Sequence, residues 1–427
     1  MDYKKIKHIF LFLLVVSLFS CEAEIDQYTP DAGDIDFTTF VAVGNSLTAG
    51  FRDGDLFRSG QEHSLANIMA TQFMHVGLES FKQPLMKDDL GFGNRLVLGE
   101  VNGSLLPVPM GGSPDPGNYG NIFDSEGPFH NMGVPGARTV HVLFEGYGTL
   151  NNYYGRFASN QQTSSILGDA LALQPTFFSL WLGSNDILGY AMSGGEGEGI
   201  TPADEFAMHY GMIVNALTQN GAKGVLANIV DITSIPFLTT VPYNAVFLND
   251  PNIVAMLNAA YAAAEHIQFD IGLNPLVVVD TDHPAGIRQL ESGELVVLTA
   301  LPGITGQGWG SQTPLPLQYY LNHDQVGSIN AAVAAYNDVI SQMAQDHSLA
   351  YVDIRSRLED ATTGMYFDAI NFTTEFVSGG LFSLDGVHLS QRGYALAANE
   401  FIAAINRQYN ASIPKVTVGN FPGIIFP

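Results

Sequence analysis

The fold of this chain is decided by the stretch Phe40-Val41-Ala42-Val43-Gly44-Asn45-Ser46-Leu47-Thr48-Ala49-Gly50. Its four apolar residues, two of them valine, predict a buried strand. The Gly-Asn-Ser that follows predicts a tight turn into a helix. Ser46 is therefore expected at the carboxyl end of a strand, where open α/β sheets place their binding crevice and where the next helix exposes its first N–H groups. A serine in this position is a candidate nucleophile.

The composition is that of an acidic globular protein. The chain has 427 residues, 46% of them hydrophobic, which is enough to build a full core in one large domain or two smaller ones. Its formal charge of −25 comes from 17 Lys+Arg against 42 Asp+Glu, and no basic cluster follows the first eight residues. This charge pattern argues against nucleic acid as a partner.

The first 21 residues have the features of an export signal. Lysines at positions 4, 5 and 7 precede an apolar run over residues 9–18 that is too short to span a bilayer. The run ends in Leu18-Phe19-Ser20-Cys21, which resembles the lipobox of a bacterial lipoprotein. Cys21 is the only cysteine, so no internal disulfide is possible and lipid attachment is its predicted use. Residues 1–20 are therefore predicted to be a lipoprotein signal peptide.

Residues 21–36 are predicted to be an acidic tether. They contain Glu22, Glu24 and Asp26 and continue into a passage rich in Pro, Gly and Asp. An acidic run after the lipidated cysteine is similar to signals that send some lipoproteins to the outer face of the cell, and it is equally typical of a solvated linker. The prediction is an exported protein anchored to the membrane by lipid, on the outer-membrane, periplasmic or cell-surface side.

Strands and helices alternate along the remaining chain. Strands are predicted near 175–182, 224–229, 276–279, 295–300 and 350–353, and helices near 64–72, 139–144, 161–173, 201–219, 251–268, 324–346 and 390–408. This alternation predicts a three-layer α/β fold with a parallel sheet, in a single domain over residues 37–427. Two long segments rich in Gly and Pro, near 81–130 and 231–322, are predicted to be insertions that wall a pocket.

A second functional motif, Asp385-Gly386-Val387-His388, lies near the carboxyl terminus. A carboxylate three residues before a histidine can accept the imidazole Nδ1–H, which leaves Nε2 facing a hydroxyl group. Ser46, His388 and Asp385 are thus predicted to be nucleophile, base and orienting carboxylate, because a serine hydroxyl is a weak nucleophile without such a base.

Acyl transfer also needs donors for the oxyanion that develops on the substrate carbonyl. The predicted donors are the backbone N–H groups of Ser46 and Gly136 and the side-chain amide of Asn185. Each follows or begins a loop of the kind that gathers at one edge of the sheet. Gly133, three residues before Gly136, is the alternative for the second donor.

Four segments together resemble the blocks of the SGNH, or GDSL-type, hydrolase family of esterases and lipases. They are Gly44-Asn45-Ser46-Leu47, the glycine turn at Gly136, Gly183-Ser184-Asn185-Asp186 and Asp385-Gly386-Val387-His388, in that order. The resemblance implies a flavodoxin-like three-layer sheet and the same Ser-His-Asp triad and oxyanion-hole donors, with no cofactor and no metal. Two residues depart from the family pattern, since Asn45 replaces the usual aspartate and Ser184 the usual glycine.

The sequence offers two alternatives to this interpretation, and each has a feature against it. Asp280 and His283 have the same Asp-x-x-His spacing, but Pro284 follows them and they lie inside the second insertion, so they are expected to close a turn. The chain also lacks the Gly-x-Ser-x-Gly motif of the α/β-hydrolase fold.

The predicted activity is hydrolysis of carboxylic esters through an acyl-enzyme. Walled by two insertions, the pocket is expected to favour short-chain or glycan-borne acyl esters. Two alternatives stay open: a lipase or acylhydrolase acting on lipid esters, and a non-catalytic lipoprotein that binds glycan or lipid in the same crevice.

Overall fold

A computed structural model describes residues 28–101 and 103–427 of the chain. The predicted signal peptide, Cys21 and the first residues of the predicted tether lie outside these ranges. Residues Asp31–Pro427 form one compact unit, and the architecture below is that of this unit. No helix in the described ranges is long and apolar enough to cross a membrane.

Fifteen strands and fifteen α-helices are assigned in the described part of the chain. The strands are β1 (Phe40–Gly44), β2 (Leu96–Val101), β3 (Ser104–Pro109), β4 (Asn131–Gly133), β5 (Phe177–Trp181), β6 (Lys223–Ala227), β7 (Val246–Leu248), β8 (Gly272–Asn274), β9 (Val277–Val279), β10 (Ile287–Gln289), β11 (Leu295–Val296), β12 (Tyr320–Leu321), β13 (Ala350–Val352), β14 (Met365–Phe367) and β15 (Ile370–Phe372). The helices are α1 (Ser46–Ala49), α2 (Arg58–Gln61), α3 (Leu65–Phe73), α4 (Phe123–Glu126), α5 (Thr139–Leu143), α6 (Asn152–Gly155), α7 (Ile166–Ala172), α8 (Asn185–Met192), α9 (Ala203–Thr218), α10 (Pro236–Thr239), α11 (Pro251–Ala260), α12 (Leu301–Gln307), α13 (His323–Asp346), α14 (Ile354–Thr363) and α15 (Gln391–Tyr409).

The central sheet has five parallel strands in the order β13-β6-β5-β1-β4. Numbered along the chain, these strands follow the flavodoxin-like order 2-1-3-4-5. The predicted flavodoxin-like α/β fold is therefore confirmed. In such a sheet the ligand crevice lies where the strand order reverses, which here is between β1 and β5.

Helices cover both faces of the sheet, which explains why its central strands are mainly apolar. Every residue of β1 and β5 is buried, as expected for parallel strands covered on two sides. On one face α3 packs against α15, and on the other α9 packs against α5 and α13. The three layers enclose one continuous hydrophobic core that includes Phe40, Phe73 and Phe177.

The closing helix α15 is hydrogen-bonded to the sheet through its last residue. Its first turn is capped by the Ser390 hydroxyl, which accepts the Gly393 N–H at 3.0 Å, and its last residue, Tyr409, donates its hydroxyl to the Gly224 carbonyl at 2.7 Å. The Asp34 N–H, within the predicted tether, donates to the Tyr409 carbonyl at 2.9 Å. The last residues of that segment therefore pack on the end of α15.

Some elements differ from the sequence prediction. A strand that the sequence did not predict precedes the glycine turn at Gly136: residues 131–133 form the edge strand β4, which pairs with Ala42–Gly44 of β1. The segment near 81–130 contains the β2–β3 hairpin, and the segment near 231–322 contains short two-stranded pairs and small helices. The helix expected over 251–268 ends at Ala260, and the strand expected over 295–300 is only two residues long.

Candidate active site

Ser46, His388 and Asp385 form a continuous hydrogen-bonded chain. The Ser46 Oγ lies 2.8 Å from the His388 Nε2, and the His388 Nδ1 lies 2.9 Å from the Asp385 Oδ2. Ser46 begins α1 directly after β1, while the other two residues lie in the loop before α15. All three side chains are largely buried, with Ser46 6% exposed and the His388 and Asp385 side chains 13% exposed.

The turn that carries Ser46 has little steric freedom. A Cβ on Gly44 would lie 2.2 Å from the Thr48 Oγ1 and 2.6 Å from the Trp181 carbonyl oxygen, so only glycine fits there. Asn45 caps α1, because its Oδ1 accepts the Leu47 N–H at 3.0 Å. The steric restriction at Gly44 and the Asn45 cap together fix the backbone position of Ser46.

Five donors hold the Asp385 carboxylate. Its Oδ1 accepts the Val387 N–H at 2.9 Å, the His388 N–H at 2.8 Å and the Ser383 hydroxyl at 3.1 Å. Its Oδ2 accepts the Gly54 N–H at 3.0 Å in addition to the His388 ring. Burial alone would raise the pKa of Asp385, but the His388 ring and these N–H groups outweigh it and hold the pKa well below its usual range.

The protonation of the His388 ring follows from this carboxylate. An ionised carboxylate can only accept hydrogen bonds, so the ring nitrogen that faces Asp385, Nδ1, must carry a proton. In the neutral ring Nε2 is then unprotonated and can accept the Ser46 hydroxyl proton. Phe51 packs against the imidazole with ring centroids 4.6 Å apart, which restricts its rotation.

The structure distinguishes Gly133 from Gly136, the two candidates for the second backbone donor. Gly133 lies inside β4, and its N–H is already used by the Asn131 Oδ1 at 2.9 Å. Gly136 lies in the loop after β4 with φ +79°, and no hydrogen bond of its N–H to another described residue is assigned. Of the two, Gly136 is the one whose N–H has no assigned partner within residues 28–101 and 103–427.

Asn185 lies at the start of α8, beside the Gly136 loop. Its side-chain Nδ2 donates to the Ala137 backbone carbonyl at 3.0 Å, and its backbone carbonyl accepts from the Arg138 guanidinium at 3.2 Å. The neighbouring Asp186 is fully buried and accepts the Thr139 N–H at 3.0 Å and its hydroxyl at 2.8 Å. The loops after β4 and β5 are therefore bound to each other.

The two residues that depart from the family pattern contact each other. Because the Leu47 N–H requires an acceptor, the Asn45 Oδ1 faces Leu47 and the Nδ2 faces Ser184, whose Oγ lies at 2.9 Å. An aspartate would supply no donor at this position. The Asn45 amide thus joins the nucleophile turn to the loop that carries Asn185, a contact that neither motif reveals alone.

The second Asp-x-x-His segment has a different role. The Asp280 carboxylate binds the Arg288 guanidinium at 2.5 Å and accepts the His283 backbone N–H at 3.1 Å. The His283 ring contacts the His266 ring in a tilted arrangement, with centroids 4.5 Å apart. This segment closes a turn, as expected. Within residues 28–101 and 103–427, no group of three or more His, Cys, Asp or Glu side chains is arranged to hold a metal ion.

A large apolar cleft of about 1420 Å³ opens at His388 and Asp385. The β2–β3 hairpin of the first insertion supplies one wall, and α10 and residues 298–305 of the second insertion supply another. Residues 362 and 373–377 complete it. The apolar lining includes Phe51, Leu106, Phe237, Leu298, Leu301 and Phe376.

Comparison with known proteins identifies the family. The model of the GDSL-like lipase/acylhydrolase family matches residues 40–401, which include all four blocks. The chain therefore belongs to this family of ester hydrolases. No curated protein sequence matches it.

Two solved structures illustrate the range of similar proteins. The acetylxylan esterase Axe2 from Geobacillus stearothermophilus is 11% identical, with a TM-score of 0.37 over 87% of this chain and 96% of that one. A lipase/acylhydrolase from Enterococcus faecalis is 12% identical, with a TM-score of 0.34 over 88% of this chain and 99% of that one.

The sequence does not indicate one contact of the loop that carries Asp385. The turn Arg52-Asp53-Gly54-Asp55 contacts the loop that carries Asp385, through the Gly54 N–H among others. The Asp-Gly pair is a turn signal, but nothing in the sequence indicates that the turn meets a segment about 330 residues further along.

The depressed pKa of Asp385 predicts a specific pH dependence of stability. Because the folded-state pKa lies below the unfolded value of about 3.9, ionisation favours the folded state, and this contribution is present above about pH 4 and lost as the pH falls through the folded-state pKa. Asp385→Asn should therefore lower the free energy of unfolding at neutral pH, by an amount that shrinks in acid. Urea unfolding at a series of pH values measures this. Asp204→Asn, on the exposed first turn of α9, is the control, and a pH-independent deficit in Asp385→Asn would contradict the prediction.

Proposed function

We propose that this protein hydrolyses carboxylic esters with Ser46 as nucleophile, His388 as general base and acid, and Asp385 as the carboxylate that orients the histidine. The observation that carries the proposal is the hydrogen-bonded chain from the Ser46 Oγ to the His388 Nε2 at 2.8 Å and from the His388 Nδ1 to the Asp385 Oδ2 at 2.9 Å. Membership of an ester hydrolase family supports it.

In the first half of the reaction the Ser46 Oγ attacks the ester carbonyl carbon while its proton passes to the His388 Nε2. The carbonyl oxygen becomes an oxyanion, which the N–H groups of Ser46 and Gly136 and the Asn185 side-chain amide stabilise. The intermediate collapses, His388 returns the proton to the leaving alkoxide, and the alcohol departs. The acyl group remains on Ser46 as an ester.

In the second half, water takes the place of the alcohol. His388 accepts a proton from the water as it attacks the acyl carbonyl, and the same donors stabilise the second oxyanion. When this intermediate collapses, the proton returns to the Ser46 Oγ and the carboxylic acid leaves. Asp385 stays ionised throughout, since its hydrogen bonds hold its pKa far below neutral pH.

The cleft gives a reason to prefer one substrate class over the other. The sequence predicted short acyl groups, because two long insertions were expected to wall the pocket. The cleft, at about 1420 Å³, exceeds the roughly 300–1,000 Å³ of a typical ligand pocket, and its lining is mainly apolar. Burying a chain there would stabilise the complex by about 0.8 kcal/mol for each CH₂ group removed from water. These features support an ester with a long apolar acyl chain, which is the alternative that the sequence left open, over the short-chain ester expected from the insertions.

The membrane anchor is a separate proposal that depends on the sequence alone. The signal-like residues 1–20 and the single cysteine, Cys21, support export and attachment of lipid at Cys21. On this proposal the domain is held at a membrane surface and meets its ester substrate there.

Ser46→Ala and His388→Ala should each lower kcat for a simple aryl ester by about 10³-fold or more, because the members of a triad act as a unit. A fluorophosphonate probe should label the wild type and leave Ser46→Ala unlabelled. His283→Ala is the matched control, since His283 has the same Asp-x-x-His spacing, and it should keep full activity. A folded wild type that neither reacts with the probe nor cleaves any ester in a broad panel would favour the non-catalytic alternative.

A series of aryl esters from acetate to laurate tests the substrate class. We expect kcat/KM to rise with chain length, because each added CH₂ enters the apolar cleft. Leu106→Gln, which places a polar group in the cleft wall, should reduce hydrolysis of laurate and leave that of acetate unchanged. A preference for acetate that Leu106→Gln does not alter would restore the short-chain prediction.

Metabolic labelling with a fatty acid tests the anchor. The wild type should take up the label and sediment with membranes, and Cys21→Ala should do neither, because the chain has no other cysteine. Ser46→Ala is the control and should be labelled like the wild type. A wild type that takes up no label would refute the lipoprotein proposal.

A further inference from the structure

The turn Arg52-Asp53-Gly54-Asp55 lies directly against the loop that carries Asp385. It is a tight turn in which the Arg52 and Asp55 backbones exchange two hydrogen bonds of 3.1 Å. Asp53 and Gly54 both have positive φ, of +51° and +81°, as in the turns that favour Asp-Gly. A non-glycine residue in this conformation is strained, and such strain persists where surrounding contacts hold it.

Three successive residues of the Asp385 loop are bound by this turn. The Asp53 N–H donates to the Ser383 hydroxyl at 3.0 Å, and that hydroxyl donates to the Asp385 Oδ1 at 3.1 Å. The Asp53 Oδ1 accepts the Leu384 N–H at 3.0 Å. The Gly54 N–H donates to the Asp385 Oδ2 at 3.0 Å, on the oxygen that faces His388.

Asp53 is itself held in place. Its side chain is 7% exposed and its Oδ2 pairs with the Arg52 guanidinium at 2.6 Å. Burial raises the pKa of Asp53, and the Arg52 cation opposes that rise. The carboxylate therefore bridges a cation on its own turn and a backbone N–H of the opposite loop, and a smaller side chain would release both.

We propose that Asp53 is a positioning residue for the reaction, which fixes Asp385, and through it the His388 ring, by anchoring the 383–385 loop. This inference rests on the proposed function of Ser46 and His388. The turn follows α1 after only two residues. One short segment therefore carries the nucleophile and also the residues that hold the orienting carboxylate in place.

The test compares Asp53→Gly, Asp53→Asn and Asp55→Asn. Asp53→Gly removes the carboxylate without adding backbone strain, and Asp53→Asn keeps an oxygen for the Leu384 N–H. Asp55 is the matched control, because it is a buried carboxylate of the same turn that makes no hydrogen bond to the 383–385 loop among those assigned. It accepts hydrogen bonds from the N–H groups of Leu56, Phe92 and Asn94 and from the Tyr153 hydroxyl.

Asp53→Gly should lower kcat for an aryl acetate by about 10²-fold with little change in KM, as expected when a reacting group is displaced by about 1 Å. Asp53→Asn should restore most of that loss. Asp55→Asn should lower the melting temperature at least as much and leave kcat unchanged. Should Asp53→Gly not fold, Ser383→Ala replaces it, because it removes only the hydroxyl between the Asp53 N–H and the Asp385 Oδ1.

A second readout does not need turnover. The proton between the His388 Nδ1 and Asp385 should give a low-field proton NMR signal that is absent in His388→Ala, kept in Asp55→Asn and lost in Asp53→Gly. Wild-type kcat together with a retained signal in Asp53→Gly would overturn the inference, as would equal losses of kcat in Asp53→Gly and Asp55→Asn. A signal that depends on Asp53 in a protein without Ser46-dependent hydrolysis would instead refute the proposed function and leave the positioning role standing.

Discussion

Parallel pairing of β1 with β4 on one side and β5 on the other is the constraint on which the site depends. It brings the loops that carry Ser46, Gly136 and Asn185 to the same edge of the sheet. Short contacts then join these loops, from Asn45 to Ser184 and from Asn185 to Ala137. The sheet therefore determines which loops meet, and a few side-chain hydrogen bonds determine how closely they approach.

The Asp385 loop keeps a buried carboxylate ionised. A carboxylate in a protein with a formal charge of −25 must stay ionised although it is largely buried. Apart from the His388 ring, every donor to Asp385 is a neutral N–H or O–H group, and the nearby Arg52 cation pairs with Asp53 instead. Neutral donors lower the pKa of a carboxylate. Because they carry no charge, they do not compete with the imidazolium that forms beside the carboxylate during the reaction.

The sequence predicted the features that local patterns encode. The burial of β1 and β5 follows from mainly apolar runs, and the bounds of α13 and α15 follow from capping residues and periodicity. The strand β4 was missed because three residues that include a glycine carry no strand pattern; its neighbour β1 makes it a strand. The contacts of Asp53 with Ser383 and Leu384, and of Asn45 with Ser184, join parts of the chain 139 or more positions apart, so no local pattern encodes them.

The lengths of the two insertions indicated that the crevice is walled, but the chemistry of the walls required the structure. In the β2–β3 hairpin, Leu96, Leu105 and Leu106 line the cleft, and the Leu96 N–H is bound to the Asp53 carbonyl at 2.7 Å. The Asp55 carboxylate accepts two further N–H groups, of Phe92 and Asn94, just before the hairpin begins. The turn that contacts the Asp385 loop is thus also the base of one cleft wall. The two contacts belong to different residues of the turn: Asp53 and Gly54 bind the 383–385 loop, whereas the Asp55 carboxylate binds Phe92 and Asn94. The geometry of the candidate triad and the position of the cleft wall therefore depend on different side chains of one turn.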